Sequence, residues 1–201
     1  MVLQALARFA EIPLDAKPLR GAYSVRKLTP RDLPTDDSIL LWYDHIKSPA
    51  WQWVYGMLAT FGLRPHEVFH LDTTDLQTGG YTVQVLEGKT GARKVWAYPQ
   101  EWVCALKLSQ VHLPKANRKH NTGLGNACTT YYGRLGIPFK LYDLRHCWAI
   151  RTMQYGLDLS LAAQQMGHSV QIHTDIYHHW ISDRQHQKAF DEIMAKRNIS
   201  Q

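Results

Sequence analysis

Five residues of types that handle phosphate stand far apart in this chain, each at the end of an element or in a turn: Arg64, Lys89, Arg145, His168 and Tyr177. Two guanidinium forks hold the nonbridging oxygens of one phosphate bidentately. A lysine and a histidine complete a cationic cradle that stabilises a pentacoordinate transition state. A tyrosine beside such a cradle becomes a nucleophile. Taken singly, each residue also has a plainer reading: Arg145 as a helix-face ion-pair partner of Glu67, His168 as a satisfied buried histidine, Tyr177 as a core aromatic.

Spacing excludes several other chemistries. The GKT at 88–90 lacks the glycine that a nucleotide-binding loop needs five residues before its Gly-Lys pair, where Val83 stands. The histidines His168, His173 and His178 recur at five-residue steps, with His179 next. Two ligands on one helical face need three or four, so no metal site is expected. No Gly-x-Ser-x-Gly elbow occurs. The three cysteines, Cys104, Cys128 and Cys147, are odd in number and widely separated. That pattern fits neither a disulfide framework nor a paired-cysteine zinc site, and buried free thiols are expected.

The totals set the scale of the scaffold. A chain of 201 residues, 45% of them hydrophobic, suits one domain or a domain and a fragment. No apolar run reaches the roughly 18 residues of a membrane span. MVLQALARFAEIPLDAKPLR carries a proline and acids where a signal peptide would be uninterrupted, so no membrane association and a cytoplasmic location are expected. Charge is concentrated. Between Gly88 and Arg145 stand ten Lys or Arg against Glu101 and Asp143, a net +8, while the rest of the chain carries −2 of the total +6. Such a segment suits a surface that meets polyphosphate, although a solvated basic face has the same composition.

The elements that must position the five residues read as mainly α with a small antiparallel β-sheet, an α+β arrangement. Residues 1–25, with Pro13 and Pro18, read as a linker or the remnant of an upstream domain, and 26–201 as the functional domain. SILLWYDHIK is helical, and SPAWQWVYGMLATFG is a helix with Ser48 at the N-cap, Pro49 in its first turn and Gly62 at its end. A helix can begin at Pro65, with Arg64 at its mouth. YTVQVLEG and RKVWAYP form a hairpin with Lys89 near its tip. Helices follow at PQEWVCALKL, GNACTTYYGRLG, YDLRHCWAIRTMQYG, SLAAQQMG and SDRQHQKAFDEIMAKRN.

Four ordered stretches carry a family resemblance. LATFGLRPHEVFHLD resembles the first arginine box of the tyrosine recombinase (phage integrase) family, with a Gly-Leu-Arg-x-x-Glu core at Gly62 to Glu67. EGKTGARKVWAYP resembles the hairpin that carries the family's lysine, and LYDLRHCWAIR the second arginine box. QQMGHSVQIHTDIYHHW resembles the Gly-His-Ser segment running to the nucleophilic tyrosine nine residues after the histidine. The resemblance runs from about Leu28 to Ile193, close to a whole catalytic domain.

The resemblance implies the catalytic-domain fold of DNA breaking and rejoining enzymes, and a site-specific recombinase or integrase of prokaryotic or phage origin, associated with the nucleoid. By carry-over, Arg64 and Arg145 bind the nonbridging oxygens, His168 contacts the scissile phosphate, Lys89 protonates the departing 5′ oxygen and Tyr177 attacks. A 3′-phosphotyrosyl bond conserves the energy of the broken phosphodiester, so rejoining needs neither ATP nor metal, and no cofactor is expected. Double-stranded DNA is the expected partner, with further protomers in a synaptic tetramer. Arg93, Lys94, Lys115, Arg118, Lys119 and Lys140 are the expected DNA-contacting cations.

Two departures qualify the resemblance. The second box usually begins with histidine, and here Tyr142 stands in that place; a phenol donates a hydrogen bond well but is a weak base at neutrality. His146 is not expected to replace it, because adjacent helical residues point roughly 100° apart. The segment before the first box is also too short for the family's core-binding domain. A DNA-binding regulator of lapsed chemistry is therefore one rival, separated by covalent trapping on DNA. A type IB topoisomerase is another, separated by sequence-independent plasmid relaxation. A helix-turn-helix factor explains the helices and charge but not five reactive residues in family order.

Overall fold

The computed structural model describes residues 2–14, 33–88, 91–115, 120–177, 190, 191 and 194. Its backbone divides into two compact units, Met1–Pro30 and Arg31–Gln201, against a boundary expected near residue 25. The first unit contains α1 (Val2–Phe9), a helix within the stretch expected to be a linker or remnant. VLQALARF holds no Gly or Pro, so local propensity favours it.

The second unit is built around α3 (Pro49–Phe61). Every residue from Trp53 to Phe61 is buried, which makes this the central helix of the core. Proline stands in its first turn and Gly62 closes it, as its sequence predicts; Ser48 takes the N-cap position without a side-chain cap bond. Before it, α2 (Asp36–His45) starts on Thr35, whose hydroxyl accepts from the Ser38 amide at 3.2 Å, with Asp36 and Asp37 complementing the helix dipole.

Beyond α3 the expected helix at Pro65 shrinks to a single 3-10 turn, Glu67–Phe69. The chain then enters β1 (Leu71–Asp72), a short helix α4 (Thr74–Gln77), β2 (Thr82–Val85) and β3 (Arg93–Trp96). The hairpin of β2 and β3 forms in the register Thr82↔Trp96 to Val85↔Arg93, and β1 adds antiparallel to β2. Two residues carry no readable period, which is why β1 was not legible in advance. Helices α5 (Trp102–Ala105), α6 (Asn121–Arg134), α7 (Asp143–Gln154), α8 (Leu159–Met166) and α9 (Val170–Tyr177) follow.

Mainly α with one small antiparallel sheet is the observed class. α7 packs on α3 and on α8, and α8 packs on β3 and α9, so the second arginine box lies between the core helix and the histidine–tyrosine segment. Arg151 fastens this arrangement: it is buried, donates to the carbonyls of Tyr98 and Ala59, pairs with Asp36 and stacks on the Trp102 ring. Cys128 and Cys147 are buried free thiols as expected; Cys104 is exposed, which corrects that reading for one of the three. The expected C-terminal helix lies outside the described residues except for Phe190, Asp191 and Met194, which are helical. No helix among the described residues is long and apolar enough to cross a membrane.

Candidate active site

Gly62 begins the site. It ends α3 at φ 59°, in the left-handed region, and a Cβ there would lie 2.6 Å from the Trp148 ring. Only glycine permits that backbone and that approach to α7. The reversal leaves the Gly62 carbonyl to accept from the Arg145 guanidinium and carries Arg64 to the same place.

Glu67, fully buried, organises the first arginine box. Its carboxylate accepts from the Arg64 backbone amide at 2.8 Å and from Arg64 Nη1 at 2.8 Å. From the other side Arg93 makes a bidentate pair, Nη1 to Oε1 at 2.9 Å and Nη2 to Oε2 at 2.6 Å. Burial pushes this carboxyl up, but the Arg93 hydrogen bonds and charge, with the Arg64 amide, outweigh it and hold the pKa at about 2. Arg93 was expected to touch DNA. Its side chain is 7% exposed, and Nε also donates to the Gln165 carbonyl at 2.7 Å. This guanidinium ties the hairpin to α8 and to the first box.

The second box meets the first on the turn between α8 and α9. Asp158 caps α8, and Gly167 ends it at φ 62°. Arg145, buried in α7, donates to the Met166 carbonyl, and its Nη2 stands 3.1 Å from His168 Nε2. Arg64 Nη2 reaches the neighbouring Gly167 carbonyl at 3.1 Å. Arg64, Arg145 and His168 therefore converge on one turn. Burial pushes the Arg145 guanidinium down to about 10, which leaves it charged at neutral pH. Burial, then the charges of Arg145 and Arg64, push His168 down to about 3. A neutral imidazole there accepts from Arg145 through Nε2.

Tyr177 closes the site from α9, and only 1% of it is exposed. Its hydroxyl lies 2.9 Å from Nδ1 of His146, the residue that the 100° argument set aside. The angle itself is right, but Arg145 and His146 face different parts of one site. Arg145 looks to the α8–α9 turn, and the next residue looks to α9. His173, four residues before Tyr177 on the same helix, packs its ring 4.7 Å from the tyrosine ring. It is fully buried, with neither ring nitrogen bonded among the described residues, and burial pushes it down to about 4. The four-residue spacing was the available signal for His173. Tyr142 stands at the N-cap of α7, 41% exposed, its ring edge-on to His146 with centroids 5.4 Å apart.

Of the remaining expected cations, Lys94, Lys115 and Lys140 are exposed, and Lys94 lies over the Trp96 ring. Lys94, Trp96, Gln164, His168 and Ser169 share an open groove of about 790 Å³. Lys89, Arg118 and Lys119 lie outside the described residues. Among the described residues no group of three or more His, Cys, Asp or Glu is placed to hold a metal ion.

The chain resembles the tyrosine recombinases, and its fold is that of their catalytic domain. Two solved structures share this fold: the XerA recombinase (TM-score 0.53, 19% identity, 94% of this chain and 72% of that one) and the Tn1549 transposon integrase in complex with transposon right end DNA (TM-score 0.51, 17% identity, 84% and 67%). In sequence, the chain is 33% identical over 164 residues to Excisase A of Nostoc sp. (strain PCC 7120), and 31% identical over 200 residues to Excisase C of the same organism. These matches cover 74% and 84% of this chain but only 35% and 40% of the two excisases. No family model matches the chain.

Proposed function

We propose that this chain is the catalytic domain of a site-specific DNA recombinase that cuts and rejoins strands through a 3′-phosphotyrosyl bond. One observation carries the reading: arginines 81 positions apart and His168 gather on a single turn, with Tyr177 on the helix that leaves it. Arg64 and Arg145 hold the nonbridging oxygens of the scissile phosphate, and His168 contacts the same group. Tyr177 Oη bonds to phosphorus as the bond to the 5′ oxygen breaks, and Lys89 gives that oxygen its proton. A 5′-hydroxyl from a partner strand reverses the step. The proposed partners are double-stranded DNA and further copies of the chain on it, with excision as the outcome by analogy with the names of the two Nostoc relatives.

A DNA-binding regulator of lapsed chemistry is the second reading, and it draws on Tyr142 in the histidine position and on the burial of Tyr177. A suicide-substrate assay separates the two. Nicked duplexes from the genome flanking the gene are incubated with the chain, then resolved under denaturing conditions. A covalent adduct that disappears in Tyr177→Phe is expected. DNA binding with no adduct supports the regulator.

A further inference from the structure

We infer that His146 is the group that takes the proton from Tyr177 during strand cleavage and returns it on rejoining; this rests on the recombinase reading above. The residue that the resemblance leads one to expect as base is absent, and a side chain one helical residue beyond Arg145 touches the reacting oxygen.

The geometry is direct. His146 Nδ1 lies 2.9 Å from Tyr177 Oη, within hydrogen-bond reach of the proton to be moved. The rings are tilted at 59° with centroids 5.6 Å apart, so the contact is edge to hydroxyl and not a stacked pair. The two residues belong to α7 and α9, so the contact exists only when both helices are docked.

Chemistry selects His146 among the neighbours. A phenol of ordinary pKa about 10 needs a base to ionise near neutrality, and imidazole, at about 6.5, is the side chain suited to it. Tyr142 has another phenol and cannot serve. His168 meets Arg145 through Nε2, and its depressed pKa makes it a poor proton acceptor. His173 contacts Tyr177 through its ring, with no nitrogen bonded among the described residues, and is likewise held neutral. His146 is only half-buried and meets the hydroxyl itself.

The step balances. In the neutral tautomer with its proton on Nε2, the Nδ1 lone pair takes the Oη proton while Oη bonds to phosphorus and the bond to the 5′ oxygen breaks. Lys89 protonates that oxygen. On rejoining, the imidazolium returns its proton to Tyr177 as the 5′-hydroxyl attacks. The consecutive residues Arg145 and His146 then hold the phosphate and activate the nucleophile, so docking α9 on α7 assembles both at once.

The test is single-turnover cleavage of the nicked duplex by the native chain, His146→Asn and His146→Gln, with DNA binding and thermal unfolding measured alongside. Asparagine sets its Oδ1 where Nδ1 stood, so it keeps an acceptor for the tyrosine but takes no proton. Cleavage by His146→Asn is expected to fall about 100-fold or more, with binding unchanged; glutamine guards against a fold defect peculiar to asparagine. In the same variants Tyr177 is replaced by 3,5-difluorotyrosine, a more acidic phenol with less need of a base. This substitution is expected to recover at least about tenfold in His146→Asn and little in the native chain. Cleavage by His146→Asn at the native rate, or a deficit that the acidic phenol leaves untouched, overturns the inference alone. Absence of any adduct from the native chain overturns the recombinase reading, and this one with it.

Discussion

Replacing Glu67 by glutamine should cost about 3 kcal/mol, and the structure gives two routes to that figure. The carboxylate is fully buried and accepts hydrogen bonds from the Arg64 amide, the Arg64 guanidinium and both terminal nitrogens of Arg93. Glutamine is isosteric, but it turns an acceptor oxygen into an NH2 group facing a guanidinium and leaves buried Arg93 and half-buried Arg64 short of a charge. Breaking a buried pair in this way costs about 3–5 kcal/mol. The pKa gives the second route. A carboxyl lowered from 4.5 to about 2 contributes about 3–4 kcal/mol of folding stability at neutral pH, at roughly 1.4 kcal/mol per unit. Because the folded pKa is depressed, this contribution is whole above pH 4.5 and is lost as pH falls toward 2.

Urea unfolding at pH 7 measures the loss directly, and a fall in Tm of about 6–12 °C should accompany it. A double-variant cycle with Arg93→Met isolates the pair. The two single changes should cost more in sum than the double, which removes both charges and leaves Arg64 alone without its carboxylate. A Glu67→Gln chain within about 1 kcal/mol of native, or strictly additive changes, refutes the assignment of Glu67 as the organising charge of the first box.

Gly62→Ala should destabilise by more than about 2 kcal/mol in the same assay, because the left-handed backbone costs about 1–2 kcal/mol and the new methyl meets Trp148. His168 and His173 should make the fold acid-labile. Both have folded pKa values below the ordinary 6.5, so the unfolded chain binds more protons and stability falls as pH drops from 6.5 toward 4. His173→Leu should flatten that slope by up to about 1.4 kcal/mol per pH unit, read from unfolding at a series of pH values. Lys94→Ala should weaken DNA binding without changing stability and reduce the slope of log K against log salt by about 1. Arg93→Ala should instead lower Tm, since its charge is spent on Glu67.

The sequence was legible where a residue type answers to a local constraint. Pro49 and Gly62 bracket α3 because proline and glycine dominate their own backbone angles, and the hairpin emerged from two β-rich runs around a glycine turn. The helix expected at Pro65 failed for a reason outside local propensity: Glu67 is drawn inward by Arg93, 26 residues away, and the chain leaves the first turn for β1. The fate of Arg93 was hidden for the same reason. A charged residue on a strand reads as exposed until the acid that buries it is known.

His146 shows which further fact was needed. The rotation between neighbours on a helix is fixed by its pitch, and it does separate His146 from the His168 side of Arg145. The expectation that His146 does not replace the missing base required one more premise, that everything reactive lay on Arg145's side of α7. α9 contradicts that premise. It leaves the α8–α9 turn with His168 beside Arg145 and ends with Tyr177 against His146, so the site wraps across two faces of α7. Spacing within α7 could never reveal this, because the deciding quantity is the path of a second helix. Tyr142 then ceases to be a simple loss: a phenol can occupy the position expected of a histidine if the nucleophile's proton leaves through the neighbouring face.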